Sequence, residues 1–253
     1  MNPKPQTPPP KLLTVEIPQV KSESTIAAEN TVGLRKPEEK SSPPQQTVTE
    51  SPNVPKEPGE GEVSFYVGST GTGKTFLALQ HWIKRLHVTR YPGIIIDGMG
   101  ERRNISDLRA RLTVRDCNSA LAALFREHRH VVWMPKSLDE VELFCEKAIA
   151  CAQEGHPIII FMDETSPWMS SHRQPENLML LLRSHYHTRI ECLMTTQYLA
   201  RDFPPLALNC VQNAYIFRNT SPQALERISQ TFPDVDIEAV RKLPDRKFIE
   251  VHV

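Results

Sequence analysis

The sequence lacks the features that mark a secreted, metal-binding or membrane-spanning protein. Its five cysteines are scattered and form no Cys-x-x-Cys pair, which favours reduced core thiols over disulfides or a metal site. The longest strongly apolar run, residues 158–162, is too short to cross a bilayer, and the proline-containing N-terminus is unlike a signal peptide. The formal net charge is zero, so the total charge indicates neither a nucleic-acid nor a membrane surface. We therefore expect a soluble, cytoplasmic protein.

The N-terminal quarter also lacks aromatic side chains, the first of which is Phe65. Residues 1–60 hold 12 of the 22 prolines and are rich in Ser, Thr, Gln, Lys and Glu. Such a segment cannot bury enough apolar surface to offset its conformational entropy. The composition predicts a disordered proline-rich tail over residues 1–61 and a folded domain over residues 62–253. The tail is either a plain solvated extension or a docking arm for a partner.

Beyond the tail, short apolar runs alternate with amphipathic helical patterns. Strands are predicted at residues 63–67, 93–97, 131–134, 158–162, 190–195, 214–217 and 248–253. Helices are predicted at residues 74–86, around Leu108 and Leu121, and at residues 138–153, 178–186 and 222–230. The run at 158–162 is apolar throughout, which is typical of the centre of a sheet covered on both faces. The alternation predicts one α/β domain with a largely parallel sheet sandwiched by helices.

A phosphate-binding motif lies between the first predicted strand and the first predicted helix. Its residues are Gly68, Ser69, Thr70, Gly71, Thr72, Gly73, Lys74 and Thr75. Glycines let the backbone curl so that successive N–H groups face an anion, and the helix adds its positive N-terminal end. Lys74 is expected to reach the β- and γ-phosphates of ATP, and the Thr75 hydroxyl to ligate Mg²⁺. The motif predicts a P-loop NTPase (RecA-like) that uses ATP and Mg²⁺.

Two further polar positions follow apolar strands. Asp163 and Glu164 end the run at 158–162, so Asp163 is expected to hold the metal beside the loop and Glu164 to polarise the attacking water. An acidic pair after a strand is otherwise a helix cap. Gln197 ends the next strand and suits a sensor that contacts the γ-phosphate or the water, where the alternative is an ordinary loop residue.

Taken in order, these motifs resemble the FtsK–HerA superfamily of DNA-pumping ATPases over residues 63–253. The resemblance also rests on Asp97 and Glu101 after the second strand, the segment 181–187 before the sensor strand, and Pro204, Pro205, Asn209, Asn213 and Arg218 after it. In its size and in the segment Gln197-Tyr198-Leu199, the chain is most similar to the compact genome-packaging ATPases of double-jelly-roll viruses and phages, the poxvirus and tectivirus type. The resemblance implies a homo-oligomeric ring, usually a hexamer, that packages DNA into a capsid through backbone contacts, with a capsid or vertex protein as a further partner.

A ring ATPase needs a cation from a neighbouring subunit to neutralise the γ-phosphate in the transition state. Four arginines are candidates because their place in the chain puts them near the carboxyl edge of the sheet: Arg183, Arg189, Arg201 and Arg218. Arg183 and Arg218 are preferred, although each position also suits a surface charge or a structural ion pair. DNA phosphates are expected at two basic loop pairs unless these are only solvated, Arg102-Arg103 and His172-Arg173. Core or interface positions are expected for Trp133, Met134 and Trp168.

Three other classes of P-loop protein fit parts of the pattern. A phage-extrusion ATPase of the zonula-occludens-toxin type would carry a membrane span after the domain. A superfamily 3-like initiator helicase would carry an Asn sensor and an upstream nicking domain with histidines, whereas residues 1–60 contain no His or Tyr. A small-molecule kinase would need a lid with clustered arginines and would gain little from Glu164 or Gln197.

Overall fold

The computed structural model describes residues 61–98, 111–199 and 203–253 of the chain. Several predictions fall outside these residues and are not tested by it. They concern the tail, the helical segment around Leu108, Glu101, the Arg102-Arg103 pair and Arg201.

The described residues form one eight-stranded sheet. Its strands are β1 Val63–Val67, β2 Gly93–Asp97, β3 Arg111–Val114, β4 His130–Trp133, β5 Ile158–Asp163, β6 Ile190–Thr196, β7 Asn213–Phe217 and β8 Phe248–His252. Their order across the sheet is β3-β4-β2-β5-β6-β1-β7-β8, and only the edge pair β7–β8 is antiparallel. The predicted largely parallel α/β sheet is confirmed, and the carboxyl ends of its parallel strands share one edge.

Helices connect most of the strands. They are α1 Lys74–Thr89, α2 Cys117–Leu121 with a π-helical turn Ala122–Arg126, α3 Leu138–Gln153, α4 Glu176–Thr188, α5 Pro205–Leu208, α6 Pro222–Thr231 and α7 Ile237–Lys242. Side-chain oxygens cap four of them: Asp116 accepts from Ser119 N–H, Ser137 from Glu140 N–H, Ser221 from Ala224 N–H, and Asp236 from Glu238 and Ala239 N–H.

The two faces of the sheet are buried in different ways. One face packs under α1, where Trp82 is almost wholly buried and its Nε1 donates to Ile159 O at 3.3 Å. The other face carries the larger cluster and packs under α3 and α4, which also pack on each other. β5 is buried along its whole length, as its sequence predicted. Burial on both faces explains why the central strands are continuous apolar runs rather than alternating ones.

Three short elements were not predicted from the sequence: β3, α5 and α7. β3 was not predicted; it is a four-residue edge strand paired only with β4, and so short a segment gives little periodic signal. The helix α7 was also missed, although Asp236 supplies a helix-start signal in front of it. The predicted strand at 131–134 is shifted by one residue, to His130–Trp133. Within the described ranges, no helix combines the length and the apolar character that a membrane span requires.

Candidate nucleotide-binding site

The phosphate loop lies at the carboxyl edge of the sheet, between the end of β1 and the start of α1. Its strand β1 pairs with β6 on one side and β7 on the other. Ser69 N–H donates to Arg218 O at 3.0 Å, which ties the loop to the residue that follows β7. Ligands of open α/β sheets bind at this edge.

The loop leaves backbone N–H groups at the start of α1 available to an anion. Gly73 precedes the helix with φ 103°, a left-handed conformation that glycine adopts without a Cβ penalty. No side chain in the described part of the chain caps α1, in contrast to α3 and α6. At Gly68 an added Cβ would lie 2.6 Å from Phe217 Cβ, so only glycine fits this approach to β7. The geometry matches an anion cradle at a helix N-terminus.

Lys74 lies inside this cradle and is 6% exposed. Its Nζ donates to Ser69 O at 3.0 Å, so the side chain folds back over the loop. Burial lowers the pKa of Lys74 to about 8, and the nearby charge of Glu164 opposes this shift. A phosphate in the loop would supply the counter-charge that favours the protonated amine.

Thr75 and Asp163 form the oxygen pair expected for a magnesium site. Thr75 Oγ1 donates to Asp163 Oδ1 at 3.0 Å, and the Asp163 side chain is nearly fully buried. One hydroxyl and one carboxylate next to a phosphate cradle are hard oxygen donors of the kind that Mg²⁺ takes together with nucleotide phosphates. These residues therefore fit the ion that the motif implies.

A second buried carboxylate lies beside Asp163. Asp97 ends β2 in register with Asp163 and is 2% exposed. The segment after β5 packs over this point, because a Cβ added at Gly98 would lie 3.0 Å from both Pro167 Cγ and Trp168 Nε1. Asp97 entered the sequence analysis only through the family resemblance, and it lies at the same edge of the sheet as Asp163 and Glu164.

Glu164 has an unusual backbone conformation. Its φ is 54°, in the left-handed region that a residue with a long side chain rarely occupies. Its N–H donates to Thr195 Oγ1 at 2.8 Å, and the next residue's N–H, that of Thr165, donates to Thr195 O at 3.0 Å. The turn after β5 is therefore held by the end of β6.

Gln197 follows β6 and reaches the tip of the phosphate loop. Its Oε1 accepts a hydrogen bond from Thr70 Oγ1 at 2.8 Å. The structure thus brings Lys74, Thr75, Asp163, Glu164 and Gln197 to one place, as their order in the chain predicted. Their individual roles stay predictions.

Three of the four candidate arginines lie in the described ranges, and they do not lie together. Arg218 lies at the loop edge, where its Nη2 pairs with Asp245 Oδ1 at 2.6 Å. Arg189 ends α4 directly before β6, so it lies at the opposite edge, where strands begin, and its expected placement near the carboxyl edge was wrong. Arg183 is exposed in the second half of α4, which runs towards that same opposite edge, so its expected placement was also wrong. Arg183 therefore lies towards the edge opposite the phosphate loop.

Arg246 is a residue that sequence reasoning missed. Its N–H donates to Thr72 O at 3.0 Å, and it has φ 63°. A Cβ placed on Gly73 would lie 3.4 Å from both Arg246 Cα and Cγ, so this side chain starts against the loop. No carboxylate in the described ranges pairs with Arg246, whereas the preceding residue, Asp245, is engaged by Arg218. A basic residue after a Leu-Pro segment gives no local signal of this contact.

The remaining candidates lie elsewhere. His172 and Arg173 are exposed in a turn closed by the Ser170–Arg173 bridge. Trp133 and Trp168 are buried and Met134 is partly buried, which agrees with the core or interface positions expected for them.

Sequence comparison finds no relative for this chain. No protein-family model matches it, and no curated protein matches it significantly.

Structure comparison finds viral packaging enzymes. The genome-packaging NTPase B204 from Sulfolobus turreted icosahedral virus 2, in complex with AMPPCP, matches with a TM-score of 0.65 and 17% identity, covering 76% of this chain and 93% of B204. The ATP-gammaS complex of the same NTPase gives a TM-score of 0.63 and 16% identity, covering 76% of this chain and 92% of that one. B204 from Sulfolobus turreted icosahedral virus, described as a DNA-packaging ATPase, gives 0.60 and 18%, covering 77% and 94%.

These neighbours are of the kind that the motifs resemble. At such identities the likeness concerns the fold, which is therefore that of a P-loop NTPase built like B204. The match spans nearly the whole of B204 and about three quarters of this chain.

Proposed function

We propose that this chain is an ATP hydrolase that drives DNA into a viral or mobile-element capsid. The observation that carries the proposal is the convergence of two separate segments, the end of β5 and the residue after β6, on the phosphate loop. Thr75 bonds to Asp163 at 3.0 Å, Thr70 bonds to Gln197 at 2.8 Å, and Lys74 lies within the electrostatic reach of Glu164. B204, which shares the fold, has been solved with AMPPCP and with ATP-gammaS.

Different residues of the site have different roles in the proposed hydrolysis. The loop N–H groups and Lys74 bind the β- and γ-phosphates, and the charge on Lys74 offsets the negative charge that develops there. Glu164 accepts a proton from the attacking water. The oxygen of that water bonds to the γ-phosphorus while the bond between the γ-phosphorus and the oxygen that leaves with ADP breaks. Gln197 orients that water or the γ-phosphate. Thr75 and Asp163 would hold Mg²⁺, which neutralises phosphate charge when bound.

The proposal extends to the assembly of the chain. We assign the chain to a homo-oligomeric ring whose neighbouring subunits complete each nucleotide site. Support comes from the fold shared with B204, described as a DNA-packaging ATPase, and from a transition state that needs a further cation. Arg183, exposed and towards the edge opposite its own loop, is the candidate for a neighbour's site. Arg218 would first have to leave Asp245. Backbone contacts to DNA are assigned to basic loops such as that of His172 and Arg173.

A pair of variants tests the enzyme assignment. Lys74→Ala removes the buried amine that contacts the phosphates, so we expect ATP hydrolysis, measured as phosphate release with double-stranded DNA, to fall by about a hundredfold or more. Glu164→Gln keeps the cradle and the shape of the side chain, so it should bind ATP normally and hydrolyse it very slowly.

Each variant has a distinct contradicting outcome. Hydrolysis that persists in Lys74→Ala would contradict the assignment of residues 68–75 as the phosphate-binding loop. Wild-type turnover in Glu164→Gln would remove its role as the base. Lys147→Ala, at an exposed lysine on α3 that pairs with the adjacent Glu146, serves as the control for loss of a positive charge.

A further inference from the structure

One hydroxyl near the end of β6 contacts both acidic residues at the end of β5, Asp163 within the strand and Glu164 directly after it. Thr195 Oγ1 donates to Asp163 Oδ1 at 3.0 Å and accepts the Glu164 N–H at 2.8 Å. The Thr195 side chain is 1% exposed, so water does not compete for these bonds. A single hydroxyl has one proton to donate and lone pairs to accept with, and here both capacities are used.

The contact with Glu164 restrains a backbone that is not favourable by itself. At φ 54° a residue with a side chain is in a sparsely populated region, and it stays there only where its surroundings hold it. Thr195 holds it twice, through Oγ1 to the Glu164 N–H and through its carbonyl to the Thr165 N–H at 3.0 Å. The direction in which the Glu164 carboxylate leaves the chain depends on this turn.

The contact with Asp163 fixes a carboxylate. Asp163 Oδ1 accepts from two hydroxyls, those of Thr195 and Thr75, each at 3.0 Å. The two donors come from different elements, β6 and α1, so together they determine how the carboxylate is rotated about its side-chain bonds.

The strand that carries Thr195 leads directly into Gln197. Two residues further on, Gln197 Oε1 accepts from Thr70 at the tip of the loop. In the sheet, Thr195 lies in register with Tyr66 of β1, the strand that leads into the loop. The end of β6 therefore touches the loop tip, the metal-side carboxylate and the turn of Glu164.

We infer that Thr195 is a positioning residue for hydrolysis, which sets the orientation of both Asp163 and Glu164 and links them to the strand that leads into Gln197. This inference rests on the proposed function. Valine has nearly the same shape as threonine but lacks the hydroxyl, and serine keeps the hydroxyl. The pair Thr195→Val and Thr195→Ser therefore separates the two hydrogen bonds from packing.

Thr195→Val should lower kcat by about ten- to a hundredfold, the usual effect of removing a partner that orients a functional group. KM for ATP should change little, because the cradle and Lys74 are untouched, while the Mg²⁺ concentration for half-maximal binding of a fluorescent ATP analogue should rise. Hydrogen exchange at the Glu164 amide should become faster. Thr195→Ser should restore all three quantities towards wild type.

A double mutant separates positioning from a purely structural role. In the Glu164→Gln background, Thr195→Val should lower the residual single-turnover rate less than it does in wild type, because Glu164, one of the two groups that Thr195 positions, is already disabled. An equal fold-loss in both backgrounds, or a Thr195→Val protein with wild-type kcat and Mg²⁺ dependence, would overturn the inference. A lowered melting temperature with unchanged kcat would show a structural role only.

These outcomes are distinct from failure of the proposed function. If Lys74→Ala keeps full hydrolysis, the phosphate-loop assignment on which the proposed function rests is wrong. If Lys74→Ala is inactive and Thr195→Val behaves as wild type, only the role of Thr195 is wrong.

Discussion

Arg246 is the residue whose position adds most to the site described by the motifs. Its N–H is bound to Thr72 O and its side chain starts against Gly73, beside the place where the phosphates would lie. A cation there, without a carboxylate partner in the described ranges, is suited to a charge-assisted contact with the nucleotide.

We therefore expect Arg246→Gln to weaken ATP binding about tenfold, the size of one charge-assisted hydrogen bond. The measurement is an equilibrium titration with a fluorescent ATP analogue. Lys247→Gln, at the adjacent exposed cation, is the matched control and should bind as wild type. Equal affinity in Arg246→Gln and the control would show that this guanidinium does not reach the nucleotide.

The difference between predicted and missed site residues has a physical reason. Lys74, Asp163, Glu164 and Gln197 were predicted because each belongs to a short motif at a strand end, and strand ends in a parallel sheet share one edge. The roles of Thr195 and Arg246 depend on contacts with residues that are far away in sequence. No local pattern encodes such a contact, so only the fold reveals it.

At the scale of elements, α1 is held on the sheet by a polar and aromatic contact as well as by apolar packing. His81 Nδ1 and Tyr66 Oη are 2.8 Å apart, and the Tyr66 ring stacks on Tyr215 with centroids 4.7 Å apart. Burial lowers the pKa of His81, while charges on Glu250, Lys84, Glu62 and Arg85 act in both directions.

This lowered pKa has a defined effect on stability. The unfolded chain takes up a proton on histidine as the pH falls through about 6.5, while folded His81 stays neutral until a lower pH. The unfolded state thus binds more protons in this window, so the free energy of unfolding should decrease as the pH falls below about 6.5. Denaturant titrations at about pH 7 and pH 5 measure the change.

His81→Gln should make this pH dependence shallower, because glutamine does not titrate and can still bond to Tyr66. Part of the dependence should remain, since burial also lowers the pKa of His130. His172→Gln, at an exposed histidine in a loop, is the control and should leave the dependence as in wild type. An identical pH dependence in His81→Gln and wild type would contradict the assignment.

The elements themselves differ in how far the sequence determines them. β5 and α3 were predicted closely because a long apolar run and a regular helical period are strong local signals. β3 exists because β4 offers it a partner at the sheet edge, and α7 is a short helix between α6 and β8. Pairing and packing partners, rather than local preference, decide such short elements.

At the scale of the whole molecule, the proposed ring would bring a cation from a neighbouring subunit to each nucleotide site. Arg218 is the candidate arginine next to the loop, and it is paired with Asp245 of the same chain. Arg183 is exposed towards the edge opposite its own loop, where a neighbouring subunit could use it. The net charge of zero gives no general attraction to DNA, so binding should depend on basic loops brought together by assembly.

Native mass measurement with ATP and double-stranded DNA tests this arrangement. Glu164→Gln should hold ATP without hydrolysing it, so we expect this variant to form a closed oligomer with nucleotide and to retain DNA, because nucleotide at each interface stabilises the assembly by mass action. Lys74→Ala, which lacks the phosphate contact, is the control and should form less of it. A Glu164→Gln protein that stays monomeric with bound ATP and ignores DNA would rule out the ring motor, and an ATP hydrolase without translocation would remain.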